Sequence, residues 1–159
     1  MYDDIINSAA KEYRVDPKLI RAFISVESNW NPSASRHEPQ INDTSWGLMQ
    51  VLLTTGRRIS GNPSLTSKQL IQPTVNILIG TKFLRELINR YKGNLEEVIA
   101  AYNAGSAIRS KLNPSKFINQ SYVDKVMRAY KGPQLANLAF PTIGIVIVLV
   151  IAGFGGKRA

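Results

Sequence analysis

Two stretches of the chain set apolar residues at helical spacing. In DPKLIRAFISVES, Leu19, Ile20, Phe23, Ile24 and Val26 share one stripe when each residue advances by about 100°, and Lys18, Arg21, Ser25 and Ser28 lie opposite. Asp16 followed by Pro17 predicts where this helix starts, because an N-cap aspartate accepts a free amide and proline at the first helical position gives up no needed donor. In PTVNILIGTKFLRELINRYKG, Val75, Leu78, Leu84, Leu87, Ile88 and Tyr91 predict a second, longer helix that stops at Gly93. Asn94 then caps LEEVIAAYNA, with Glu97 placed to complete a capping box and Gly105 at the end. A further helix is expected after Ser121, with Asp124 at the matching box position and KGP (131–133) as its stop. Between the first two helices, NPSASRHEPQINDTSWG reads as a long loop by its Pro, Ser, Asn and Asp content, and such loops commonly line a site. No strand pattern, repeat or low-complexity segment stands out, so the fold class expected is all-α.

The far end has a different texture. LAFPTIGIVIVLVIAGFGG (138–156) carries no charge and would span roughly 28 Å as a helix, close to the thickness of a bilayer's hydrocarbon core. Its β-branched centre would also suit a buried strand, but the all-round apolar character and the abrupt Lys157 and Arg158 favour a transmembrane helix. The expected organisation is a domain over 1–131, a short linker over 132–137, a transmembrane helix over 138–156 and a basic tail over 157–159. The positive-inside preference would set that tail on the cytoplasmic side. The start, MYDDIINSAAKEY, lacks the basic and apolar regions of a secretory signal peptide, so cleaved export is not expected.

Charge narrows the partners. With 20 Lys and Arg against 11 Asp and Glu, the net charge of +9 favours an anionic partner such as nucleic acid, an acidic membrane face or an acidic wall polymer. Interleaved base-contacting groups are not evident, and nucleic acid is not expected. There is no cysteine and a single histidine, His37, so neither a cysteine nucleophile nor a histidine-rich metal site is available. SAIRSKLNPSK is basic but lacks the spacing of a phosphate loop, and no cofactor is expected.

One carboxylate breaks the pattern of the first helix. Measured from Leu19, Glu27 falls at about 80°, between Phe23 at about 40° and Ile20 at about 100°, in the middle of the apolar stripe. A carboxyl facing low dielectric has its pKa raised and can serve as a general acid near neutral pH. Equally, such a glutamate can pair with an inward-reaching Arg or Lys, or reach solvent past the helix end. The residues by themselves leave both readings open.

The spaced motifs ESNWNP (27–32), GLMQ (47–50), AAYNAG (100–105) and YV (122–123) resemble the lytic transglycosylase domain of the soluble, Slt-like family, related in fold to goose-type lysozyme. The resemblance implies cleavage of the β-1,4 bond between N-acetylmuramic acid and N-acetylglucosamine in peptidoglycan, leaving a 1,6-anhydro-muramoyl end. It makes Glu27 the single catalytic residue, acid first and base afterwards, unlike the two-carboxylate scheme of most glycosidases. It also implies that Gln50 donates to the bound sugar, that Tyr122 orients Glu27, and that Tyr102 and Asn103 line the floor of the cleft. Duller roles exist: Tyr102 as core, Asn103 as a helix terminator, Gly47 as a tight turn. Where the family commonly has a serine, nine positions after the acid, this chain has Arg36; the nearest serine is Ser35, taken as the substrate-binding candidate. The following stretch is longer than usual, and Leu52 replaces a common methionine.

These readings combine into a membrane-anchored lytic transglycosylase acting on peptidoglycan strands, in the cell envelope or a phage virion membrane, with the lipid bilayer as a second partner through the carboxyl-terminal helix. A muramidase of the same fold is the alternative enzyme, with Glu38 or Asp43 of the long loop activating water. A non-catalytic wall-binding or virion structural protein is the third reading.

Overall fold

The computed structural model describes residues 2–132. Helices α1 (Asp3–Tyr13) and α2 (Pro17–Ser28) lead into strands β1 (Ser35–Glu38), β2 (Asp43–Trp46) and β3 (Val51–Leu52). Helices α3 (Leu53–Ser60), α4 (Ser67–Leu70), α5 (Pro73–Arg90), α6 (Leu95–Ala104) and α7 (Gln120–Lys131) follow.

Helix ends follow the local chemistry of the sequence. Asp16 accepts from the Lys18 amide at 2.8 Å and Pro17 opens α2 as expected. Asn94 accepts from the Glu97 amide and α6 closes on a left-handed Gly105. Glu97 turns its carboxylate toward Arg109, 3.7 Å away, so the reciprocal half of the box is replaced by an ion pair. α7 begins one residue ahead of Ser121, and Asp124 accepts from Gln120 at 2.9 Å within the helix's first turns.

α2 and α7 run antiparallel, tied at both ends by tyrosines of α7. Tyr130 donates to Asp16 at the start of α2, and Tyr122 donates to Glu27 at its end. α5 is the central strut: Ile77, Leu84 and Leu87 are fully buried, and Arg85 donates to the Tyr13 carbonyl at 2.7 Å, fastening α1. Phe23 and Ile24 of α2, Ile99 of α6 and Met49 of the turn before β3 fill the same core.

Two expectations are corrected. The segment expected to be a loop carries β1 and β2, which join β3 in an antiparallel sheet of order β1-β2-β3, so the described domain is helical with a small sheet rather than all-α. Its first two strands are polar because only Ser45 of β1 and β2 is buried, which removes the apolar alternation that betrays a strand. Among the described residues, no helix is long and apolar enough to cross a membrane. Even α5 carries Lys82, Arg85, Glu86 and Arg90, and its apolar stripe is spent on its own domain. The expected transmembrane helix is therefore no part of the described fold, and the membrane localisation and the bilayer partner that rested on it find no support there. The segment 138–156 lies outside the described residues.

Candidate active site

Glu27 is the penultimate residue of α2. Directly after it, Asn29 and Trp30 take φ of 49° and 65° and turn the chain away, leaving the carboxyl at the helix's end. The negative end of the helix dipole there opposes a carboxylate. The side chain forms part of the wall of a cleft of about 310 Å³. Burial is the largest influence on it and pushes its pKa up to about 7, from an ordinary 4.5. The hydrogen bond from Tyr122 and the positive charge of Arg36 pull the value down, while Glu38 adds to the rise.

Tyr122, on the first turn of α7, donates its hydroxyl to Glu27 Oε1. Burial, followed by the neighbouring Glu27, holds the Tyr122 phenol well above its usual range, so it stays a neutral donor. Tyr102 of α6 packs between Phe23 and Phe83, with ring centroids 4.5 and 5.1 Å away, and forms part of the cleft. Its hydroxyl donates to the Met49 carbonyl at 2.8 Å, so the core and cleft roles coexist in one side chain. Asn103 also lines the cleft; its Oδ1 accepts from Asn119 at 2.9 Å, a link between the ends of α6 and α7. A smaller hollow of about 90 Å³ shares Gln50, Leu52, Tyr102 and Asn103 and extends the groove toward Phe83 and Gly105.

Gln50 lines the cleft, yet its amide is committed to the protein. Nε2 donates to the carbonyls of Gly47 and Ala34 at 2.9 and 3.1 Å, and Oε1 lies 3.2 Å from the Ser45 hydroxyl. With φ of 44°, Gln50 sits in the left-handed region and uses its side chain to close the GLMQ turn onto the sheet. Gly47, with φ of 73°, is required there: a Cβ would come within 2.6 Å of the Asn76 side chain.

The sheet decides which loop residues face the cleft. Arg36 pairs with Ser45 and Glu38 with Asp43 in the β1–β2 ladder. Alternation puts Arg36, Glu38 and Ser45 on one face, and all three line the cleft. Ser35, one residue away from Arg36, therefore points to the other face, is exposed, and forms no part of the cleft wall. The serine in the cleft is Ser45, brought there by the strand pairing. His37 shares the outer face, with Nδ1 3.3 Å from the Thr44 hydroxyl.

The two further acids of the hairpin differ. Asp43 serves as a brace for α3: Oδ2 accepts from the Thr54 hydroxyl at 2.5 Å and amide at 3.1 Å, and Oδ1 from the Thr44 amide at 2.7 Å. Burial works to raise its pKa, but the bonds from Thr54, Thr44 and Leu53 outweigh that and hold it below the usual carboxylate range. Glu38 does line the cleft, and its Oε1 accepts from Arg36 Nε at 2.6 Å.

Asn76 is the positioning residue that the sequence reading passed over. Fully buried on α5, it accepts from the Met49 amide at 2.7 Å and donates to the Trp46 and Leu70 carbonyls at 2.7 and 3.0 Å. Two of these bonds fix the turn that carries Gln50, and the third ties it to α4. The signal was available: Asn76, Gly80, Leu84 and Leu87 fall on one helical stripe, and a polar side chain there demands partners. Among the described residues, no cluster of acidic or histidine side chains is suited to a metal ion.

Residues 4–122 match the family model described as the transglycosylase SLT domain. A putative soluble lytic murein transglycosylase of Haemophilus influenzae is 34% identical over 108 residues, 66% of this chain and 17% of that protein. The membrane-bound lytic murein transglycosylase C of Salmonella arizonae is 34% identical over 137 residues, 75% of this chain and 37% of the relative. The chain therefore spans only a minor part of the length of these relatives. In fold it is similar to an inactive mutant of the lytic transglycosylase Slt from Pseudomonas aeruginosa, with a TM-score of 0.63 at 24% identity, covering 81% of this chain and 23% of that one.

Proposed function

The chain belongs to the transglycosylase SLT domain family, and on that premise we propose that it cleaves peptidoglycan glycan strands as a lytic transglycosylase with Glu27 as its acid. The observation that carries this reading is a carboxyl raised to about 7 by burial, hydrogen-bonded by Tyr122 and set in the wall of an open cleft. A carboxylic acid of that pKa holds its proton at neutral pH for a sizeable fraction of molecules, and can regain it after each turnover.

In the proposed cycle Glu27 gives its proton to the glycosidic oxygen as the bond to C1 of the muramoyl sugar breaks, and the departing sugar leaves as an alcohol. The substrate's own N-acetyl carbonyl shields the electron-poor C1. Glu27, now a carboxylate, takes the proton of the C6 hydroxyl as that oxygen closes on C1, forming the 1,6-anhydro ring and restoring the acid. Tyr122 orients the carboxyl throughout. Tyr102 and Asn103 form the floor, and Gln50 shapes the turn beside it.

A hydrolysing muramidase remains the second reading, because Glu38 lines the same cleft as Glu27. Its engagement by Arg36 argues against a free base, and Asp43 is saturated by Thr54 and Thr44. Mass spectrometry of wall fragments released by the purified chain separates the two. Anhydro-muramoyl ends, absent with Glu27→Gln, are expected; reducing ends alone would establish hydrolysis, and no release at all would leave the reading of a non-catalytic wall-binding or structural protein.

A further inference from the structure

The cleft holds a cation to which the proposed reaction assigns no contact with substrate. Among the described residues lining it, Arg36 is the only positively charged side chain. It stands on the cleft face of β1, and its partner Glu38 is the next residue on that face. The side chains are 64% and 26% exposed, and an ion pair this open to water contributes little net free energy and is readily exchanged. Glu38 engages only Nε; the terminal amino groups of Arg36 make no hydrogen bond among the described residues. A planar guanidinium with donors to spare is suited to gripping a carboxylate with two parallel bonds.

Muramoyl glycan brings such a group. Muramic acid differs from glucosamine by a lactyl ether whose carboxylate is free in peptide-stripped strands, whereas in strands that carry peptide the acidic groups belong to the peptide. Resting on the reading above, we propose that Arg36 is a specificity-determining residue that binds a carboxylate of the muramoyl substrate, and that Glu38 is an internal stand-in which that carboxylate displaces. The arrangement would separate wall glycan from chitin-type chains, which share the sugar backbone and lack the acid. It also gives the replacement of the family's common serine by Arg36 a chemical meaning.

The test uses the full chain carrying Glu27→Gln, so that ligand is not consumed and titration of the acid does not intrude. Calorimetry measures binding of a peptide-free muramoyl tetrasaccharide, the same glycan with its peptide, and chitotetraose. Adding Arg36→Gln is expected to weaken carboxylate-bearing glycan about tenfold, the scale of a charge-assisted contact, and to leave chitotetraose unchanged. Adding Glu38→Gln is expected to tighten the same glycan, because the competitor is gone. Loss confined to the peptide-free ligand assigns the carboxylate to the lactyl group, and loss confined to the other assigns it to the peptide. Equal weakening of all three ligands, no weakening, or parallel losses from both substitutions would overturn the proposal and leave the pair as a hairpin brace. If the parent binds all three glycans equally, only this inference falls; if it binds none, the transglycosylase reading falls with it.

Discussion

Glu27 and Glu38 face one cleft from different walls, and their surroundings have little in common. Glu27 ends a helix whose preceding residues Ala22, Phe23 and Ile24 are buried, and it receives a tyrosine hydroxyl. Glu38 sits on a two-stranded rim, in contact with water and with an arginine. Identical side chains are thereby prepared for different work: the helical wall withholds solvent and keeps a proton, while the hairpin wall offers exposed charge that can trade partners. On the proposed reading, chemistry is placed where the backbone is fixed by packing, and discrimination where the chain is open to water.

The largest effect that separates the walls is on turnover. Glu27→Gln is expected to lower wall cleavage by about three orders of magnitude while the circular dichroism spectrum stays unchanged, whereas Glu38→Gln retains cleavage. Comparable losses from both would merge the two walls into a two-carboxylate machine. Next in size is the support behind the helical side. Asn76→Ala leaves the Met49 amide and the Trp46 and Leu70 carbonyls without their partner, and denaturant unfolding should show a loss of about 2–4 kcal/mol.

Burial of Glu27 also predicts how stability varies with pH. Its folded pKa of about 7 exceeds the ordinary 4.5, so between these values the folded state binds more protons than the unfolded one. The favourable contribution is present below the lower value and is lost as pH rises through the upper one. Relative to Glu27→Gln, the unsubstituted chain should therefore lose up to about 3 kcal/mol between pH 4 and pH 8. Thermal unfolding of both proteins across that range checks it, and parallel curves would mean that the acid is solvated.

The smallest effects belong to the rim. Ser35→Ala should change stability by less than about 0.5 kcal/mol and leave cleavage unaltered. Ser45→Ala, which removes a hydroxyl 3.2 Å from both the Arg36 carbonyl and Gln50 Oε1, should cost about 1 kcal/mol. A reversal of that order would show that the strand register is read wrongly.

The same contrast explains what could be read from the sequence. α2 was legible because Asp16 and Pro17 mark its start and its apolar stripe isolates Glu27. Asn76 obeys the same rule on α5 and would have been found by applying it again. The hairpin was not legible, because strands with a single buried residue carry no alternation, and only pairing tells which of Ser35, Arg36 and Ser45 turns inward. A serine chosen by nearness in sequence lands on the wrong face of a strand whenever the offset is odd. Gln50 shows a further limit: the resemblance implies an amide that donates to the bound sugar, whereas its commitment to the Ala34 and Gly47 carbonyls depends on a turn that no spacing rule describes.

The proposed catalysis depends on the ionisation of a single side chain. Carbon-13 NMR of the Glu27 side-chain carboxyl, assigned by comparison with Glu27→Gln and followed across pH in the full chain, measures it directly. A midpoint near 7 is expected; a midpoint at the ordinary value of 4.5 would contradict the claim that this cleft keeps an acid protonated for catalysis.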